Sequence, residues 1–134
     1  LLSSTALTNI TAENITAELG QDAILPCKVP NKYNILITAV QWSRPDQDPE
    51  YVLLYRDGHL EPEYQHPSYQ NRVDLQDKEM KDGDASLILK NVKKEDNGTY
   101  ECRVFEKGKN EPISNIYLVV LDPVKNGALL CQNI

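Results

Sequence analysis

The chain has 134 residues, with 40% hydrophobic and 25% charged positions, enough to bury one core without help from a metal. Its net charge is −6, from 14 Lys+Arg against 20 Asp+Glu, which speaks against nucleic acid or an acidic membrane as the main partner. The apolar run at 116–121 is far too short to cross a bilayer, so a membrane anchor is expected only outside this sequence.

Residues 1–10 read as a polar leading segment. The sequons Asn9-Ile10-Thr11 and Asn14-Ile15-Thr16 lie in or beside it, and Asn97-Gly98-Thr99 forms another. Sequons at this density point to a secretory route, and Asn9 and Asn14 are the expected glycan acceptors. Asn97 is expected to be crowded by its neighbours.

Residues 22–29 alternate, with Ala23, Leu25 and Cys27 on one face of a strand. Residues 39–44 set Val40 and Trp42 together. Residues 50–56 are a β-branched and aromatic run ending at Asp57-Gly58, a hairpin signal because both turn positions favour φ > 0. The face of this strand is ambiguous: Val52/Leu54 and Leu53/Tyr55 are both apolar, and one register step exchanges them. Ala85, Leu87 and Leu89 alternate in the next run. Residues 92–97 are a polar connection with room for one 3₁₀ turn. Tyr100, Cys102 and Val104 share a face, and Gly108 marks a hairpin. The last strand, at 114–121, turns Ile116, Leu118 and Val120 inward. Short strands between frequent turns predict an all-β sandwich.

Three features coincide on that pattern. Cys27 and Cys102 both face inward and stand 75 positions apart. Trp42 faces inward on the strand after Cys27. Asp96-x-Gly98-x-Tyr100-x-Cys102 leads into the second cysteine. A two-sheet sandwich explains all three: the Cys27–Cys102 disulfide crosses between the sheets, the indole packs on it, and the Tyr100 hydroxyl turns back to the chain.

These residues resemble the immunoglobulin superfamily, and the interval between the cysteines resembles that of its V-set. The resemblance covers about residues 11–122. It implies a two-sheet antiparallel V-type β-sandwich with Greek-key topology, with 123–134 as a stalk or interdomain segment. It further implies that Arg72 pairs with Asp96. Tyr51–Gly58, Asn71–Leu75 and Asp82–Leu87 look like the corresponding segments of butyrophilin-like, myelin-oligodendrocyte-glycoprotein-like and costimulatory-ligand domains. The chain departs from antigen receptors in its last strand: Pro112-Ile113-Ser114-Asn115 stands in place of their Phe-Gly-x-Gly bulge.

No catalytic pattern is present. His59 and His66, the 2 histidines, lack metal-ligand spacing, and no nucleophile or phosphate-cradling motif occurs. The acidic groups Asp46/Asp48/Glu50 and Asp77/Glu79/Asp82/Asp84 read as solvated loops rather than Ca²⁺ sites. The chain is therefore read as a non-enzyme with no catalytic residue, metal or cofactor. The resemblance implies an extracellular or cell-surface recognition domain that meets a protein partner through its GFCC′C″ face. Alternation nominates Gln41, Ser43, Leu54, Arg56, Glu101, Arg103, Phe105, Asn115 and Tyr117 on that face. Phe105, the only Phe, beside an Arg has hot-spot composition; its competing role is packing under the adjoining loop. Two functions follow: an immune-type receptor or ligand with a protein counter-receptor, or a homophilic adhesion protein binding itself. Cys131 is the odd cysteine, expected in an interchain stalk disulfide, in a bond to a further domain, or buried by Leu129, Leu130 and Ile134.

Overall fold

Apolar residues at alternate positions require two sheets packed face to face, and the computed structural model has them. It describes residues 10–29, 37–79, 83–106 and 109–123. The strands are β1 (Thr11–Glu18), β2 (Ala23–Leu25), β3 (Ala39–Ser43), β4 (Tyr51–Arg56), β5 (His59–Leu60), β6 (Val73–Leu75), β7 (Leu87–Leu89), β8 (Gly98–Glu106) and β9 (Lys109–Leu121). One sheet runs β1-β9-β8-β3-β4-β5 and the other β2-β7-β6. Pairing is antiparallel except between β1 and β9, which run parallel from Thr11/Ser114 to Glu18/Leu121.

Two strands differ from their expected lengths. Residues 22–29 pair regularly only over Ala23–Leu25, because Pro26 lacks the N–H to continue the ladder; Lys28 makes an isolated bridge with Asp84. β9 is longer than 114–121. It starts at Lys109 and passes Pro112 through a register shift opposite Cys102/Arg103. An inner strand tolerates proline at such a bulge. The extra residue buries both Ile113 and Ser114, so a bulge forms here without the Phe-Gly-x-Gly sequence. At the β4–β5 turn, Asp57 (φ 53°) and Gly58 (φ 87°) are both left-handed, as the hairpin signal requires.

The core lies between the sheets. Cys27 and Cys102 are bonded there, with Cα atoms 6.5 Å apart. Closing so long a loop contributes roughly 4 kcal/mol. Trp42 is fully buried and donates its indole N–H to the Ala85 carbonyl at 2.8 Å.

One corner of the sandwich is tied by polar groups. The Tyr100 hydroxyl donates to the Asp96 carbonyl at 2.5 Å and lies 3.0 Å from the Tyr69 hydroxyl. Asp96, in the 3₁₀ turn Lys94–Asp96, pairs with Arg72 and accepts the Lys93 N–H at 2.7 Å. Arg44 is buried; it donates to the Tyr69 hydroxyl at 3.1 Å and to the Glu95 and Asn97 carbonyls at 2.7 and 3.0 Å. Burial alone would lower the Arg44 pKa, but its hydrogen bond to Tyr69 and the surrounding groups outweigh this and raise it. Burial pushes the pKa of both Tyr69 and Tyr100 up from the usual tyrosine value. Gly98 (φ 149°) is needed where it stands: a Cβ there would lie 2.3 Å from the Arg44 Nη2.

Candidate functional site

The outer face of the six-stranded sheet can be read row by row from the register. Ala39 lies opposite Arg56 and Phe105; Gln41 lies opposite Leu54 and Arg103. Glu101 pairs with Asn115, and Thr99 with Tyr117. Cross-strand partners share a face, so Gln41, Leu54, Arg56, Glu101, Arg103, Phe105, Asn115 and Tyr117 stand on one surface. The ambiguous β4 is thereby fixed: Leu53 faces inward opposite Trp42, and Leu54 faces outward.

Ser43 needs correction. It lies in the outer row but is 0% exposed, so no partner can touch it. A register shift beside Ser43 brings Tyr51, not Val52, opposite it, with Glu101 on its other side. A small residue between two larger ones is closed over. Leu54, at 8%, is also nearly closed, although one edge of it remains open to a concavity.

That concavity has a volume of about 360 Å³. Ala39, Gln41 and Leu54 pave it. Thr38 and Phe105 stand on one side, and Tyr51, Arg56 and Asp57 on the other. Phe105 is half-buried there, with its flank on the opening. Two ion pairs lie on this face: Arg56 at the opening with Glu61 at 3.1 Å, and Arg103 Nε next to it with Glu101 at 2.9 Å; Asp57 adds a carboxylate at the opening. Donating a hydrogen bond to the Glu61 carboxylate raises the Arg56 pKa. Sequence parity alone missed Tyr51, Thr38 and Asp57. Ala39 was readable two positions before Gln41, whereas no sequence signal marks the register shift that delivers Tyr51. A broader opening of about 910 Å³ lies between β5 and β6, lined mostly by polar groups such as Gln70, Asn71, Lys78 and Lys90. It is the gap where the edges of the two sheets part.

His59 is exposed, with Nδ1 3.5 Å from Glu61, and His66 Nδ1 accepts the Ser68 N–H at 3.1 Å to cap a 3₁₀ turn. Among the described residues no acidic or histidine cluster could hold a metal ion. Asn14 is exposed on β1. Asn97 is exposed too, but its Oδ1 accepts the Val120 N–H at 2.9 Å. Asn9 and Cys131 lie outside the described residues.

The pattern of the immunoglobulin V-set domain matches residues 10–121. The chain belongs to the immunoglobulin V-set family. Human butyrophilin subfamily 1 member A1 is 32% identical over 99 residues, 74% of this chain and 19% of the relative. The V-set fold is shared with the human B7-H4 IgV-like domain, at TM-score 0.67 and 26% identity, covering 78% of this chain and 90% of that one. Bovine butyrophilin gives TM-score 0.68 and 28% identity, covering 80% and 50%. The chain spans about a fifth of the length of the butyrophilin relatives it matches. V-set domains of this kind are non-enzymatic binding domains; in V-set terms β9, β8, β3, β4 and β5 correspond to the G, F, C, C′ and C″ strands.

Proposed function

We propose that this V-set domain is the extracellular recognition module of an immune-type cell-surface protein, and that it binds a protein counter-receptor through the GFCC′C″ face around the Phe105 concavity. The observation that carries this is the concavity itself. It offers a floor of Ala39, Leu54 and Gln41 with the Phe105 ring beside it. Arg56 at its edge is already paired with Glu61 within the face. The opening has room for one or two side chains of a partner, the geometry of a hot spot. The disulfide fits an oxidising, extracellular setting.

The test is fluorescent tetramers of the domain on leukocytes of the source organism. Wild-type tetramers are expected to stain a subset of cells. Phe105→Ala should weaken monomer binding by about tenfold or more, as loss of an interface aromatic does. Ile24→Asp, on the opposite sheet, should leave staining unchanged. Equal staining by Phe105→Ala, or loss with Ile24→Asp, overturns the proposal. A dimer seen by sedimentation and lost in Phe105→Ala would reassign the same face to homophilic adhesion.

A further inference from the structure

β9 turns Tyr117, Val119 and Leu121 to the outer face at alternate positions; Tyr117 is 43% exposed and Leu121 37%. An apolar row of this kind beside an open sheet edge invites non-specific pairing. The edge strand is β1, first in the sheet order. Its register places Asn14 beside Tyr117 and Thr16 beside Val119. Parallel partners share a face, so the sequon Asn14-Ile15-Thr16 presents its acceptor amide next to the apolar row. Among the described residues no hydrogen bond holds the Asn14 side chain. Asn97 is built differently. Its Nδ2 donates to the Tyr117 hydroxyl at 3.3 Å, while its Oδ1 holds the Val120 N–H where the β8–β9 ladder has ended at Gly98/Leu118. Asn97 therefore serves strand pairing.

We propose that Asn14 carries an N-linked glycan that lies over Tyr117 and Val119. The glycan closes the β1–β9 side of the outer face and leaves the Phe105 concavity open. A glycan is bulky and solubilising, which suits both the open edge and the apolar row. Asn14 and Gln41 are three strands apart and several residues apart along the strands, roughly 20 Å, so the covered and open regions are separate. The consequence for docking rests on the recognition proposal above: Tyr117 leaves the contact surface, and contacts concentrate on β8, β3 and β4.

The experiment uses the protein secreted from mammalian cells, at a dilution where sedimentation shows a monomer. Peptide mass spectrometry should find Asn14 mostly occupied. Acetylation of exposed tyrosines by N-acetylimidazole, mapped by peptide, then compares wild type with Asn14→Gln and Thr16→Ala, both exposed and both lacking the sequon. Tyr117 labelling should rise several-fold in both variants, with Tyr51 at the concavity and the distant, exposed Tyr64 unchanged. An unoccupied Asn14, or equal Tyr117 labelling with and without the glycan, overturns the glycan shield. A matching rise at Tyr51 overturns its one-sidedness. No partner enters these readouts, so their failure is distinct from a failure of the Phe105→Ala staining test.

Discussion

At its start β8 runs through the corner where Tyr100, Tyr69, Arg44, Asp96 and Arg72 hold one another; at its far end Phe105 stands beside the concavity on the outer face. In the corner nearly every polar group has a named partner, and the backbone accepts a left-handed glycine to make room for Arg44. Around the concavity the contacts are fewer, the charged pairs are solvated, and Phe105 is only half-buried. One strand thus joins a region where substitution should damage folding to a region where it should alter recognition alone. If the proposed function holds, stability and binding are separable along a single strand of nine residues.

The sharpest way to break this comparison is Asp96→Ala. Asp96 is 2% exposed, and its removal leaves the Lys93 N–H without its acceptor and takes the one carboxylate from Arg72, whose guanidinium keeps only the Ser68, Lys90 and Asn91 carbonyls. The expected loss is about 3–5 kcal/mol by urea unfolding. A loss under about 1 kcal/mol would show that the corner does not carry the fold. Gly98→Ala comes next, at about 2–3 kcal/mol, because it combines a disfavoured φ with a clash on a pinned guanidinium. Arg44→Met should recover part of that loss in the double variant, since it removes the obstructing Nη2.

Tyr100→Phe should cost about 1–2 kcal/mol at neutral pH through its lost hydrogen bonds. It also has a pH signature. The folded Tyr69 and Tyr100 pKa values are raised, so unfolded chains release these protons first. Their stabilisation is complete below the unfolded value, about 10, and is lost as pH climbs above it toward the folded values. The urea midpoint should therefore fall above about pH 10, and Tyr100→Phe should flatten that fall. The smallest effect is expected at the other end of β8. Phe105→Ala should lower stability by less than about 1 kcal/mol, because a half-buried ring loses little on truncation. A drop of 3 kcal/mol or more, on the scale of a core aromatic, would place Phe105 in the core and dissolve the contrast.

The parts of the molecule legible in its sequence are those whose signal is local. Cys27, Trp42, Tyr100 and Cys102 show their inward parity within a few residues, and Asp57-Gly58 announces its turn. The pairing of Arg72 with Asp96 was an expectation from family resemblance, and the ion pair is present. β1 passed unread. Thr-Ala-Glu-Asn-Ile-Thr-Ala-Glu buries little beyond Ile15 and Ala17, because an edge strand covers only a small part of the core. Its partner β9 is remote in sequence, so no local pattern announces the pairing. The bulges were invisible for another reason. Each inserts a residue that reverses parity beyond it; in β4 this turns Tyr51 to the outer row, against its sequence parity, where it helps close over Ser43. Arg44 reads as a solvated cation until the carbonyls of Glu95 and Asn97, far along the chain, are seen to receive it.

The parallel pairing of β1 with β9 also sets how the domain bears load. The amino end of β1 lies beside Ser114 and its carboxyl end beside Leu121. A pull that draws residue 10 one way and residue 122 the other acts along both strands in opposite directions. Their hydrogen bonds are then strained in shear, all together, instead of opening one after another as in a zipper pulled from its end. Loaded between its two ends in this way, the β1–β9 seam acts as a mechanical clamp.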